Sequence, residues 1–333
     1  MKKILVTGGS GFIGTNIVNF LLKKKYLVSN IDKLSNISTP EKFKDKNINY
    51  TFYRFNLSNE VKFKKVLLKN FDVIIHLAAE SHVDRSIDSP KLFFSENINS
   101  TLTFYNLIND LLKSKKISSP KIIHISTDEV YGSNKTGFSK ECAKTFTSSP
   151  YSASKAASEN IAQSYSETYN LKICILRISN NYGPFQSPEK FIPKMISRIL
   201  EKKMIPLYSK GKNIREWIHV EDTCEAIRKV IENFKGKTIY NVGSSIRLNN
   251  IDLLKKIFKK FDYPLTKIKY VKDRPGHDYR YALDSSLFRK DYNWKPKYNL
   301  DEGMVKTILW YKNNNKWLKA VRLKFLDIRI GKI

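Results

Sequence analysis

The chain has 333 residues, of which 41% are hydrophobic and 12% aromatic, so a packed globule with room for two lobes is expected and intrinsic disorder is excluded. No apolar run approaches the roughly 20 residues of a membrane span, and the short stretch between Met1-Lys2-Lys3 and the first glycines does not read as a secretory signal, so a cytoplasmic protein is expected. The formal charge of +29 comes from 60 basic and 31 acidic residues, but the lysines fall in short scattered clusters such as Lys23-Lys24-Lys25 and Lys259-Lys260, a pattern of solvated helix faces rather than a nucleic-acid surface.

Along the first half, β-branched runs at 3–7, 27–31, 50–55, 73–76 and 121–126 read as strands. Between them, 12–24, 59–69 and 90–112 carry helical spacing, and a helix at 151–169 precedes a strand at 172–177. This alternation, with near-continuous apolar strands, predicts an α/β fold of Rossmann type, a doubly wound parallel sheet. After residue 178 prolines punctuate a region of shorter helices, read as a smaller mixed α/β substrate-binding lobe. The expected division is 1–178 for the cofactor domain, with later strands and helices interleaved from the second half, 179–317 for the second lobe, and a basic, less ordered tail at 318–333. Cys142, Cys174 and Cys224 form no CxxC pair and read as reduced thiols, and five scattered histidines offer no metal cluster.

Gly8, Gly11 and Gly14 lie between the first strand and first helix. A tight turn, a backbone that must approach a pyrophosphate, and a helix packed close on its strand all require residues without Cβ, and the helix amides then hold the phosphate. Asp32 ends the second strand, where a carboxylate accepts both ribose hydroxyls and repels a 2′-phosphate; NAD is therefore expected over NADP. Tyr151 and Lys155 stand four apart at a helix start, on one face. Bringing a phenol of pKa about 10 down by about 3 units needs about 4 kcal/mol of phenolate stabilisation, which an ammonium and a nicotinamide cation can supply. Thr127-Asp128-Glu129 follows the strand at 121–126, at the sheet edge that faces ligands in open α/β folds.

These motifs resemble the extended short-chain dehydrogenase/reductase superfamily, and over residues 1–317 the chain is similar to the dTDP-glucose 4,6-dehydratases. The matching segments are HLAAESHVDR at 76–85, TDEVYG at 127–132, YSASK at 151–155, SNNYGP at 179–184, PEKFIP at 188–193, NIREW at 213–217 and DRPGHD at 273–278. Asn56 stands where that family usually has Asp against adenine, Glu216 replaces an Asp, and Ser35-Asn36-Ile37 differs from the usual stretch. The resemblance places Phe12, Ile13, Asn56, Leu57, Ala78, Asn97 and Asn180 along the NAD cofactor, with Tyr151 and Lys155. It places Ser81, His82, Asp84, Asn181, Lys190, Tyr208, Arg215, Arg274 and His277 around a nucleotide-sugar substrate, Arg215 and Arg274 on its diphosphate, and implies a homodimer through the helices at 90–112 and 151–169.

The reaction so implied begins with Tyr151, helped by Lys155 and Thr127, taking the 4-OH proton of the glucosyl group while hydride leaves C4 for NAD+. Glu129 removes the C5 proton, Asp128 protonates the departing 6-OH, and hydride returns to C6. Elimination beside a carbonyl needs one acid and one base, and adjacent carboxyls can divide the roles. The competing readings are a nucleotide-sugar 4-epimerase, a UDP-glucose 4,6-dehydratase, a sugar reductase, and a non-catalytic dinucleotide or nucleic-acid binder.

Overall fold

The structure, a computed structural model, describes residues 1–35, 47–236 and 238–323. The first half runs β1 (Lys3–Thr7), α1 (Phe12–Lys23), β2 (Leu27–Asp32), β3 (Tyr50–Arg54), α2 (Glu60–Leu67), β4 (Val73–His76), α3 (Val83–Asp88), α4 (Pro90–Phe94), α5 (Ser100–Lys113) and β5 (Lys121–Thr127). Then come α6 (Pro150–Tyr169), β6 (Ile173–Ile178), β7 (Asn180–Tyr182), α7 (Phe191–Leu200), β8 (Ile205–Tyr208), β9 (Ile214–His219), α8 (Val220–Glu232) and β10 (Thr238–Val242). The chain closes with β11 (Arg247–Asn249), α9 (Asn250–Phe261), β12 (Ile268–Val271), α10 (Ser286–Tyr292), α11 (Leu300–Asn313) and α12 (Asn315–Leu323).

Seven parallel strands form the central sheet in the order β10-β6-β5-β4-β1-β2-β3, the expected Rossmann-type doubly wound sheet. Along β1 the side chains alternate sides. Ile4 and Val6 enter a core with Ile17, Val18, Ile227 and Phe288, whereas Leu5 enters the opposite core with Phe63, Phe104 and Ile175. Burying an aliphatic side chain contributes about 1.5–3 kcal/mol, so the two cores hold the strand ends rigidly. Strand addition reverses between β1 and β4, which opens a crevice at their carboxyl ends.

The strand β10 is supplied from beyond residue 178 and completes the sheet beside β6. Residues beyond 178 also form the sheets β11-β9-β7 and β12-β8, over a third core with Met195, Trp217, Leu253 and Tyr311. The stretch expected as one helix at 90–112 is instead α4 and α5 joined by a π-type turn, Ser95–Asn99. The expected boundary after Trp317 falls inside α12, where Leu318 and Val321 are buried; residues 324–333 lie outside the described residues. Among the described residues, no helix is long and apolar enough to cross a membrane.

Candidate active site

The crevice opens onto a cleft walled by the glycine loop, Asp32, the 77–81 segment, Tyr151 and Lys155. Gly8 has φ +74°, and a Cβ on it would stand 2.7 Å from the backbone of Ala78. A Cβ on Gly14 would stand 2.2 Å from the Gly8 carbonyl oxygen. At Gly8 and Gly14 the loop is therefore moulded to backbone and leaves no room for a side chain. Gly11 caps α1 without any side-chain hydrogen bond, and no acid occupies the first turn, so the positive helix end faces the cleft ready for a diphosphate.

Asp32 is held by the amides of Ser10 (2.9 Å) and Leu34 (2.8 Å) and walls the cleft. Lys33 does not offer its charge to a phosphate: its Nζ lies 3.0 Å from both Glu80 and Glu96. Asn56 accepts from the Ser58 amide at 3.1 Å and donates to Glu96 at 3.2 Å. An aspartate there would oppose Glu96, which accounts physically for the amide.

The helix α6 starts with Pro150 and a capping box between Ser149 and Ser152, which fixes where Tyr151 and Lys155 point. Tyr151 is buried against Val83 and Phe93. Lys155 donates from Nζ to the Ile125 carbonyl at 2.8 Å. Burial, opposed by Glu159, pulls the Lys155 ammonium down to about 8. Burial and the nearby Glu129 push the Tyr151 phenol upward, against a hydrogen bond shared with Thr127.

Thr127 ends β5 and caps the turn that follows, its Oγ1 accepting from the Glu129 amide and donating to Asp128 Oδ1, both at 3.3 Å. Asp128 is 1% exposed and its Oδ2 has no hydrogen-bond partner. Burial, then Glu129 and Glu216, hold the Asp128 carboxyl well above the carboxylate range. Burial also raises Glu129, but Arg274, Lys190 and Arg215 pull it down. The two adjacent acids thus meet different surroundings: both are raised by burial, but neighbouring carboxylates raise Asp128 further while cations oppose the rise at Glu129, an arrangement that can separate an acid from a base.

The cations come from the chain beyond residue 178. Arg274 donates to Asp84 at 2.7 Å, and Lys190 donates to the Ser81 carbonyl. Arg215 lies 4.2 Å from the centroid of the Tyr281 ring and donates to the Asp278 carbonyl at 2.9 Å. His277 bonds Asp273 at 2.6 Å, with the Tyr208 ring edge-on to it.

The family model described as GDP-mannose 4,6 dehydratase matches residues 5–307. A probable dTDP-glucose 4,6-dehydratase of Sinorhizobium fredii is 40% identical, covering 97% of this chain and 96% of that protein. The chain belongs to the dTDP-glucose 4,6-dehydratase family. A second family member, dTDP-glucose 4,6-dehydratase 1 of Escherichia coli, is 37% identical over 96% of this chain and 95% of its own. The crystal structure of the family's DesIV from Streptomyces venezuelae, with NAD and TYD bound, superposes with a TM-score of 0.91 at 34% identity, covering 96% of this chain and 99% of that one.

Against the family pattern, Gly8, Gly11, Phe12, Ile13, Gly14, Asp32, Asn56, Leu57, Ala78, Tyr151 and Lys155 all wall the cleft, as do Ser81 and Lys190. Asn97 departs from the expected placement. The π-type turn carries its amide inward, where it bonds the Glu80 amide (2.7 Å), the Glu80 carbonyl (3.0 Å) and Ser154 (2.8 Å), so it braces the cleft wall from behind. Asn181 departs too: its amide is used by the Ser179 carbonyl and Thr223. Asn180 begins β7 and is not among the residues walling the cleft. His82 is buried as the N-cap of α3, 3.7 Å from Glu189.

Sequence reasoning assigned no role to Glu80, Glu96 or Glu189, which also wall the cleft. Glu80 and Glu189 sit within matched segments, where acids in apolar surroundings were the available signal; Glu96 has no local signature. Of the Ser35-Asn36-Ile37 stretch, Ser35 walls the cleft and the other two lie outside the described residues. Glu216 is fully buried, and its carboxylate accepts from the Ser245 and Leu283 amides at 2.9 and 3.2 Å.

Proposed function

We propose that this chain converts dTDP-glucose to dTDP-4-keto-6-deoxyglucose. The observation that carries the reading is the adjacent pair beside Tyr151, Asp128 buried with its carboxyl raised well above the carboxylate range, and Glu129 half-buried and faced by cations. Relatives bearing the dTDP-glucose 4,6-dehydratase name along nearly the whole chain, and a family structure holding NAD and TYD, support it.

NAD, when bound in the glycine-lined cleft, takes the C4 hydride and gives it back at C6. Asp32 and the first turn of α1 hold its ribose and diphosphate. Tyr151 accepts the proton of the 4-hydroxyl; Thr127, the Lys155 ammonium and the nicotinamide cation together must offset the burial and the nearby carboxylates that raise the phenol. Glu129 takes the C5 proton, now acidic beside the 4-ketone, and Asp128 delivers its own proton to the leaving 6-hydroxyl, which departs as water; Glu129 then returns a proton to C5 as hydride adds at C6. Arg215 and Arg274 pair with the substrate diphosphate, while Ser81, Asp84 and Lys190 border the sugar and Tyr208 and His277 the nucleoside.

We read residues 1–178 with β10 and α8 as the cofactor lobe and most of 179–317 as the substrate lobe. A homodimer is proposed through the face of α4, α5 and α6, where Leu92, Phe94, Leu102 and Tyr169 are 47%, 38%, 41% and 42% exposed. Three free thiols favour a reducing compartment, the cytoplasm.

The test is incubation with dTDP-glucose or UDP-glucose and no added cofactor, followed by mass spectrometry. Loss of one water from dTDP-glucose is expected. A product of unchanged mass refutes the reading in favour of epimerisation, and preferential dehydration of UDP-glucose reassigns the nucleotide.

A further inference from the structure

The proposed chemistry resides on two segments that are not continuous in sequence, the 127–131 turn and the start of α6. One buried side chain reaches both. Arg177, on β6, is 3% exposed. Its Nε and Nη2 donate to the Glu159 carboxylate at 3.0 and 2.7 Å, and Glu159 lies on α6 one helical turn beyond Lys155. Its Nη1 donates to the Tyr131 hydroxyl at 2.7 Å, and the guanidinium carbon stands 4.7 Å from the centroid of the Tyr131 ring. Tyr131 is the last residue of the turn that carries Asp128 and Glu129.

The Tyr131 hydroxyl in turn donates to Asn241 Oδ1 at 2.8 Å. Asn241, on β10, is anchored by its own donations to Glu141 and to the Ser139 carbonyl, both at 2.9 Å. Catalytic turn, catalytic helix and two strands of the central sheet therefore meet at one guanidinium and one phenol. The mechanism above uses neither group.

We propose that Arg177 and Tyr131 are positioning residues that set the separation between the Asp128–Glu129 turn and the Tyr151–Lys155 helix, and that the Tyr131 hydroxyl serves the elimination half of the reaction more than the oxidation half. The asymmetry follows from what else holds each segment. The helix α6 retains its capping box and the 2.8 Å bond between Asn97 and Ser154 without Arg177. The turn has 3.3 Å bonds from Thr127 to the Glu129 amide and to Asp128 Oδ1, a 3.2 Å bond within it from the Gly132 amide to the Glu129 carbonyl, one backbone bond from outside, Phe146 to Val130, and the apolar cluster of Val130, Tyr131 and Leu283, while Asp128 Oδ2 has no hydrogen-bond partner to steady it. Loss of the Tyr131 link therefore falls on the turn. The inference rests on the roles given above to Asp128, Glu129 and Tyr151.

Tyr131→Phe keeps the ring and removes the hydroxyl. On rapid mixing with dTDP-glucose, oxidation at C4 is expected to stay within about threefold of wild type, whereas water loss and C5 exchange with heavy water fall on the order of 10- to 100-fold, the scale of a misplacement by a fraction of an ångström to one ångström. Backbone hydrogen exchange of the ligand-free protein should rise in 127–132 and stay unchanged in 150–169. Asn241→Ser, which removes the other partner of the same hydroxyl, should partition the two steps in the same direction and serves if Tyr131→Phe does not fold. Oxidation and elimination falling by one common factor, or neither changing, would overturn the proposal. A wild-type protein that releases no water from dTDP-glucose points instead to failure of the underlying reaction.

Discussion

Arg274 and Asp84 stand 190 positions apart in the chain and 2.7 Å apart in space. The bond ties Arg274 to α3 through one nitrogen, Nη1, while Nε has no hydrogen-bond partner. A guanidinium can bond Asp84 and a diphosphate together; an ammonium is a point charge and cannot hold both in plane. Arg274→Lys is expected to raise KM for the nucleotide sugar about 10- to 100-fold, the worth of a hydrogen bond to a charged group, with a smaller effect on kcat. Steady-state kinetics decide it, and an unchanged KM would remove Arg274 from the diphosphate site.

Tyr151 is predicted to be indispensable for oxidation at C4. The ring of Tyr151→Phe still packs on Val83 and Phe93, so the fold should survive. Loss of a positioned base costs about 100- to 10,000-fold. Absorbance of reduced cofactor after mixing with substrate reads this step directly, and near-normal turnover would exclude the phenol from the mechanism.

Asp128 and Glu129 are predicted to fail at different points. An amide keeps shape and hydrogen bonding but neither accepts nor delivers the proton. Glu129→Gln should oxidise C4 yet lose C5 exchange with solvent. Asp128→Asn should oxidise C4 and release water slowly. Wild type in heavy water should carry deuterium at C5 of the product. Normal turnover by both variants would reduce the segment to an acidic turn.

Stability should fall steeply in mild acid. Burial lowers all five histidines, His76 to about 3, His219 and His277 to about 4, and His82 and His124 well below the usual value. Each binds a proton more readily unfolded than folded. Their contribution is complete above the unfolded value of about 6.5 and is lost as pH drops from there toward the folded value, at up to about 1.4 kcal/mol per pH unit for a buried histidine. The raised carboxyls of Asp128 and Glu129 act with the opposite sign, most stabilising when protonated and less so as pH rises through their folded values. Calorimetry from pH 7 to pH 5 should show a falling melting temperature, less steep in His76→Gln. A flat profile would contradict the buried-histidine account.

The exposed apolar face predicts association. Leu102→Asp on α5 places a charge where a partner helix is expected, so sedimentation should shift from dimer to monomer with little change in monomer fold. A wild-type protein that sediments as a monomer removes the proposed interface.

The Rossmann-type sheet and much of the site were legible in the sequence because their determinants are local. Gly8 and Gly14 are required by the backbone within a few residues, Tyr151 and Lys155 share a face through helical spacing, and Asp32 and Thr127 mark strand ends by hydrophobic pattern alone. What each group does was not local. Asp128 and Glu129 are neighbours of like chemistry, and the difference between them comes from burial and from Lys190, Arg215 and Arg274, which only the fold brings near. The same holds for Asn97, turned inward onto Glu80 and Ser154 by a π-type turn that helical periodicity does not encode, and for Lys33, whose charge is taken up by Glu80 and Glu96. Backbone conformation and side-chain spacing act over a few residues and are written in the chain; desolvation and Coulomb interaction depend on three-dimensional distance, and only the tertiary structure sets that.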